Sequence, residues 1–208
     1  FQNIEVIKTH NYGNALYLDG CFMLSEKNQD YYHNMCLDLT PQKSKNILII
    51  GGGDYGIASM LSRRDSNAKI TIVEIDEKVV QISKKYFPKH FTLNIEQLKN
   101  IKLIIQDGMI FLKNNLTKYD SIIIDSTDPI GQAKILFSKN FVRLCGASLK
   151  KGGTLIQQSG SPINDMKSLI KPLIKKYDDI GMKKIILSSF PMPLYPTGTW
   201  CFISAKRA

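Results

Sequence analysis

The chain has 208 residues, 43% of them hydrophobic and 22% charged, and a net charge of +10. That is ample for one folded domain with a small appendage and ordinary for a soluble globular protein. No apolar run approaches the roughly 18–20 residues of a membrane span, and the lysines are spread along the chain rather than gathered in an aromatic-laced basic block, so neither a membrane nor a nucleic-acid partner is expected.

The opening Phe1-Gln2-Asn3-Ile4-Glu5 has no basic-then-apolar signal pattern. The absence of a starting Met reads as the mark of a fragment. Residues 1 to about 25 alternate like strands, with Ile4, Val6, Leu16 and Leu18 apolar and Ile7 breaking the pattern. Asn11-Tyr12-Gly13-Asn14 and Asp19-Gly20 read as hairpin turns. A short helix is expected near 29–39, stopped by Pro41. Residues 1–40 are thus expected to form a small β region with a linking helix, and residues 41–208 the main α/β domain. The 4 cysteines, Cys21, Cys36, Cys145 and Cys201, form no CxxC pair. They are expected to be reduced and buried, as in a cytoplasmic protein.

From Lys45 the pattern changes. Strands are expected near 46–50, 69–73, 101–105, 120–124, 153–157, 184–189 and 199–204, with amphipathic helices between most of them. Met166, Leu169, Ile170, Leu173, Ile174 and Tyr177 follow helical spacing, with Pro172 expected to kink that helix. Continuous Ile/Val/Leu strands predict a mostly parallel, doubly wound sheet covered on both faces, of the Rossmann-like class I methyltransferase type. Ligands bind such sheets at the carboxyl ends of the strands.

Three of those ends carry acid. The first strand runs into Gly51-Gly52-Gly53-Asp54-Tyr55-Gly56, a loop whose glycines permit a tight turn and close approach to a ligand. No Gly-Lys-Ser/Thr follows, and Asp54 would repel a pyrophosphate, so the loop suits a cationic or amine-bearing ligand. Asp54 serves equally well as a helix N-cap. The second strand ends in Glu74, placed to accept bonds from ribose hydroxyls, or simply solvated there. The third ends in Asp107-Gly108, beside the expected position of an adenine amine. The set suits adenosine bound through sulfur and ribose. At the fourth strand, Asp125-Ser126-Thr127-Asp128-Pro129 sets two carboxylates three residues apart. A cation between them, and a raised pKa for one, would follow; ordinary turn chemistry explains the same residues.

These residues together resemble the spermidine synthase family. Gly51-Gly52-Gly53-Asp54, Val73-Glu74-Ile75-Asp76, Asp107-Gly108, Asp125 through Gly131, and Gln158-Ser159-Gly160-Ser161-Pro162 stand in the family's order and spacing. So do Gln2, Leu18-Asp19-Gly20, Glu26, Tyr32-His33-Asn34-Met35 and Tyr195-Pro196-Thr197-Gly198. The resemblance implies aminopropyl transfer from decarboxylated S-adenosylmethionine, the co-substrate, to putrescine, giving spermidine and methylthioadenosine. It implies roles as well. Asp125 is the base; Gln2 and Glu74 hold the ribose, Asp107 with Gly108 the adenine, and Asp54 and His33 the donor's amine above Gly51 and Gly53. Tyr32, Asp128, Gln158 and Tyr195 position the diamine, and residues 129–137 close over the site. No bound cofactor and no metal is expected. The assembly is expected to be a homodimer or homotetramer.

Two alternatives stand beside this: an S-adenosylmethionine-dependent amine methyltransferase, and a catalytically silent polyamine or nucleoside binder. Several departures bear on them. Tyr55 stands where the family usually has glycine and is expected to narrow the site or stack on the ligand. Asn28-Gln29-Asp30 is less acidic than the family's usual Asp-Glu pair, and Asn34 replaces a usual Glu; both reduce negative potential along a polycation's path. The family's first hairpin and C-terminal extension have no counterpart here, so part of the acceptor pocket and of the dimer interface is expected to be missing. The lone histidines His10 and His90 are expected at the surface.

Overall fold

The computed structural model describes residues 2–92 and 99–208. Its first unit is an antiparallel meander of β1 (Ile4–Thr9), β2 (Gly13–Leu18) and β3 (Cys21–Ser25). Ile4 lies opposite Leu18 and Thr9 opposite Gly13. Asp19 and Gly20, with φ of 49° and 76°, make the two-residue turn into β3, the backbone hand that matches the twist of a hairpin. Leu16, Leu18 and Leu24 of this sheet are buried against Val79 and Phe87. Val79 lies in helix α3 (Glu77–Tyr86) and Phe87 directly follows it.

Helix α1 (Asp30–Leu39) links this unit to the main sheet. Its buried face carries Tyr32, His33 and Cys36, at the i, i+1 and i+4 positions that share one side of a helix. It ends at Thr40, whose N–H reaches back to the Cys36 and Leu37 carbonyls ahead of Pro41.

The main sheet has seven strands: β4 (Asn46–Gly51), β5 (Lys69–Glu74), β6 (Ile101–Ile105), β7 (Tyr119–Asp125), β8 (Leu149–Gln158), β9 (Lys183–Pro191) and β10 (Thr199–Lys206). They lie in the order β6-β5-β4-β7-β8-β10-β9. β4 pairs in parallel with both β5 and β7, while β10 is antiparallel to its two neighbours, β8 and β9. Alternate side chains of each strand face opposite layers. Ile47, Ile49, Ile70, Ile72 and Ile123 pack beneath α1 and α2 (Gly56–Arg64). Leu48, Ile50, Val73, Ile122 and Ile124 pack beneath α4 (Gly108–Asn114), α5 (Lys139–Ser148) and α6 (Lys171–Asp179). Each large aliphatic side chain buried this way contributes about 1.5–3 kcal/mol. Tyr177 is wholly buried in the second layer, and its hydroxyl is satisfied by donating to Gln157 Oε1 at 2.8 Å.

The chain order reverses between β4 and β7. From β4 the chain builds outward through β5 and β6, then returns to lay β7 on the other side. Their carboxyl ends therefore frame a crevice, the place where such sheets take ligands.

The helix expected from Met166 forms with a wide first turn. Residues 166–170 are π-helical, with the Ile170 N–H on the Asp165 carbonyl at 3.0 Å and the Lys171 N–H on the Met166 carbonyl. The backbone stays helical through Ile170 and Lys171 into α6, so the wide turn lies directly ahead of Pro172. Cys36, Cys145 and Cys201 are buried and free; Cys21 is free but only half-buried. Among the described residues, no helix is long and apolar enough to cross a membrane.

Candidate active site

A cavity of about 690 Å³ opens at the carboxyl edge of the main sheet, within the range of about 300–1,000 Å³ usual for small-molecule sites. The structure brings Gln2, Tyr32, His33, Gly51, Gly53, Asp54, Glu74, Asp107, Gly108, Asp125, Asp128, Gln158 and Tyr195 to its walls. The meander supplies one side with Leu16, Leu18 and Leu24, and the segment after β7 another with Ile130, Ile135 and Leu136.

The β4 loop is shaped by its contacts. Gly51 has φ +84°, and a Cβ there would collide with the Asp125 carbonyl. That close approach joins the tips of β4 and β7, and the Gly52 N–H completes it by donating to the same carbonyl at 3.1 Å. Gly56 opens α2 directly against the His33 imidazole, which leaves no space for a side chain. Asp54 lies between. Its Oδ1 accepts from the Gly56 N–H at 2.9 Å and its Oδ2 meets His33 Nε2 at 3.1 Å. Asp54 therefore caps the loop and faces the cavity at once. Burial alone would raise the Asp54 pKa, but His33 with its hydrogen bond, then His90 and the Gly56 N–H, outweigh it and hold the carboxyl well below the usual range. In return, Asp54 lifts His33 above an ordinary histidine against the pull of burial.

Glu74 ends β5, buried. Its Oε2 accepts from the Gly53 N–H at 3.2 Å and its Oε1 from the Asp76 N–H at 3.0 Å. Burial still raises its pKa. Gln2 Nε2 donates to Asp76 Oδ2 at 3.3 Å, which ties the N-terminus to this wall. Asp107 caps α4, its Oδ1 accepting from the Ile110 N–H at 2.9 Å.

Asp125, at the tip of β7, is in the opposite state. Burial, then the Asp54 charge, push its pKa up to about 7, against the Tyr32 hydrogen bond and His33. The Tyr32 hydroxyl donates to Asp125 Oδ1 at 2.7 Å. Asp128 is also raised, by burial and by Asp165. Gln158 is committed at both ends. Its Nε2 donates to the Thr127 carbonyl at 3.2 Å, and its Oε1 accepts from Trp200 Nε1 at 3.1 Å and the Gly160 N–H at 3.2 Å. The Tyr195 hydroxyl donates to the Met23 carbonyl at 2.8 Å, joining the meander to the main sheet.

Two expectations fail here. His90 is not at the surface: it is 4% exposed, with Nδ1 on the Asp54 carbonyl at 3.1 Å. A sequence pattern cannot show that the short turn after α3 folds back under the β4 loop. Tyr55 does not reach the cavity. It turns outward at φ +63° and packs on Phe91 with ring centroids 4.6 Å apart. His10 is exposed, as are Asn28, Asp30 and Asn34.

Gln29, named in the sequence only for the low acidity of its segment, is itself a wall of the cavity. It is 3% exposed, and its Oε1 has no partner. Its place just ahead of α1, four residues before His33, was the available signal.

Among the described residues, His33, Asp54 and His90 form the one group whose donor atoms could meet a metal ion, all lying within 4.8 Å of one another. Those atoms are engaged already: Asp54 Oδ2 with His33 Nε2, and His90 Nδ1 with the Asp54 carbonyl.

Order reversal at β4 and β7, acidic strand tips and a glycine loop lacking phosphate chemistry define a Rossmann-like fold of the methyltransferase class. The spermine/spermidine synthase domain model matches residues 15–208, and the spermidine synthase tetramerisation domain model matches residues 1–26. The polyamine aminopropyltransferase of Methanocaldococcus jannaschii is 38% identical over 210 residues, spanning 100% of this chain and 71% of its own length. That of Thermoplasma acidophilum is also 38% identical, over 99% of this chain and 75% of its own. A spermidine synthase solved with the transition-state analogue AdoDATO superposes with a TM-score of 0.87 at 28% identity, over 100% of this chain and 71% of that one. The Thermotoga maritima spermidine synthase gives 0.85 at 26%, over 100% and 70%. The chain belongs to the spermine/spermidine synthase family, the polyamine aminopropyltransferases.

Proposed function

We propose that this chain transfers the aminopropyl group of decarboxylated S-adenosylmethionine to putrescine, giving spermidine and methylthioadenosine. The observation that carries the reading is the pair Asp54 and Asp125. Both face one cavity from adjacent strand tips, one held ionised and the other poised near neutrality.

Asp54 and His33 hold the donor's ammonium over Gly51 and Gly53. Glu74, with Gln2, takes the ribose hydroxyls, and Asp107 with Gly108 the adenine. The acceptor amine has a pKa near that of Lys, about 10, and arrives protonated. Desolvation lowers that value, and Asp125 takes the proton while Tyr32 steadies the carboxylate. The freed nitrogen lone pair attacks the carbon bonded to the sulfonium. The N–C bond forms as the C–S bond breaks, and sulfur leaves with the bonding pair as a neutral thioether. Asp128, Gln158 and Tyr195 position the diamine, Gln158 and Tyr195 chiefly by shaping the wall, because their polar ends are already paired. Residues 129–137, with Ile130 and Ile135 exposed at the rim, close over the reactants. Holding both in line supplies much of the remaining acceleration.

Residues 1–40 are read as a β-strand region with a short linking helix, and residues 41–208 as the catalytic α/β domain that binds the adenosyl sulfonium. The match of residues 1–26 to a tetramerisation domain supports a homodimer or homotetramer, and free cysteines agree with a cytoplasmic location. The test is product analysis by mass spectrometry. The protein receives decarboxylated S-adenosylmethionine with putrescine in one tube, and ordinary S-adenosylmethionine with putrescine in another. Spermidine and methylthioadenosine in the first alone is the expected result. A methylated amine in the second would replace aminopropyl with methyl transfer, and no product in either would refute the activity.

A further inference from the structure

We propose that His90 is a positioning residue for Asp54, and that the turn carrying it braces the β4 loop so that the Asp54 carboxylate meets the donor's ammonium. This rests on the reading of Asp54 given above.

His90 and Phe91 belong to the short turn Pro88–Phe91 that follows α3. A carbonyl oxygen only accepts, so the 3.1 Å contact from His90 to the Asp54 carbonyl fixes the imidazole with its proton on Nδ1. The same Nδ1 lies 4.0 Å from Asp54 Oδ2. The His90 ring packs edge-on against His33 with centroids 5.0 Å apart. One imidazole thus holds the backbone of Asp54 and flanks its side chain. His33 meets the same Oδ2 with Nε2 at 3.1 Å.

The next residue in each segment repeats the contact. Phe91 packs on Tyr55, which sits at φ +63° in the left-handed region that a bulky residue occupies only under strain. The ring pair offsets that strain and directs Tyr55 away from the cavity. The turn is itself anchored from α2, because Arg63 donates to the Lys89 carbonyl at 3.2 Å and the Thr92 carbonyl at 3.1 Å. A glycine loop free to flex would let Asp54 swing. Here His90 and Phe91 clamp consecutive residues of that loop from outside.

The expected signature is selective loss of amine recognition. Methylthioadenosine keeps the donor's adenosine and S-methyl group but lacks its sulfonium charge and its aminopropyl amine. An unsatisfied or misplaced buried partner costs roughly a tenfold change in binding. In His90→Asn the side-chain N–H2 stands where Nδ1 stood, while in His90→Gln it stands one bond further out. Decarboxylated S-adenosylmethionine and methylthioadenosine are titrated calorimetrically against the unaltered protein and the two variants, with KM and kcat measured in parallel. We expect His90→Asn to keep the preference for the amine-bearing ligand within about threefold. His90→Gln should raise the donor's Kd and KM about tenfold at unchanged methylthioadenosine affinity. Equal weakening of both ligands in His90→Gln would make His90 a merely structural residue and overturn the inference. So would indistinguishable Asn and Gln variants. Equal binding of both ligands by the unaltered protein would instead overturn the assignment of Asp54, and this inference with it.

Discussion

Two aspartates at adjacent strand tips show how one cavity keeps two carboxylates for different work. Asp54, at the end of β4, accepts from a backbone N–H and a histidine, with a second histidine nearby. It keeps its charge although it is buried. Asp125, at the end of β7, has the Tyr32 hydroxyl on Oδ1, and against that bond burial, then the Asp54 charge, raise its pKa to about 7. A buried carboxylate with donors on both oxygens keeps its charge, and one with a donor on a single oxygen and a like charge nearby holds its proton more tightly. The difference lies in the surroundings, since the residue type is the same.

The harshest way to break this comparison is Asp125→Asn. Turnover should fall by at least about a thousandfold, the scale of a lost general base in a well-aligned site, while methylthioadenosine binding persists. Steady-state kinetics and calorimetry together check this. The same variant tests the raised pKa without any substrate. The carboxyl titrates higher folded than unfolded, so the unfolded chain releases its proton first as pH rises. Asp125 therefore lowers stability progressively between about 4 and about 7. The Asn variant should melt above the unaltered protein at pH 8 and close to it at pH 4.

Asp54→Asn strikes the other member. The donor's KM should rise about a hundredfold, as a buried charge-to-charge contact is lost. The Asp54 charge also helps to raise Asp125, so removing it should move the acid limb of kcat to lower pH. A limb that stays near pH 7 would uncouple the pair.

Tyr32→Phe is a gentler change of opposite sign. The Tyr32 hydrogen bond lowers the Asp125 pKa, and its loss should move the acid limb upward. Activity below pH 7 should fall about tenfold and recover in part above pH 8, in a pH–rate profile measured at saturating substrates.

The two aspartates were not equally legible. The Ile-rich runs of β4, β5 and β7 and their acidic ends are local patterns, and periodicity marks them. Which carboxylate is charged depends on contacts between residues far apart in the chain. His33 reaches Asp54 from α1, and Tyr32 reaches Asp125 across 93 positions. Glycine spacing placed the loop at Gly51–Gly56. It did not show that Tyr55 would pack onto Phe91, nor that His90 would be buried beneath Asp54, because Arg63 of α2 anchors that turn from elsewhere in the chain.

The smallest effect should come from the link between the meander and the catalytic sheet. Tyr195 lines the cavity, yet its hydroxyl is spent on the Met23 carbonyl, and burial with the Asp125 charge keeps it protonated. Its ring also packs edge-on against Trp200, with centroids 4.8 Å apart. Tyr195→Phe keeps that packing and removes one hydrogen bond, leaving a carbonyl of β3 unpaired. The cost should be about 1–2 kcal/mol of stability, read as a lower midpoint in urea at unchanged slope. The acceptor's KM should change by less than about threefold if Tyr195 works by holding the wall, since that is below the effect of a direct buried contact. A rise of about tenfold at unchanged stability would mean instead that the hydroxyl leaves Met23 to meet the diamine. The acceptor half would then be assembled by its substrate, while the donor half around Asp54 stands preformed.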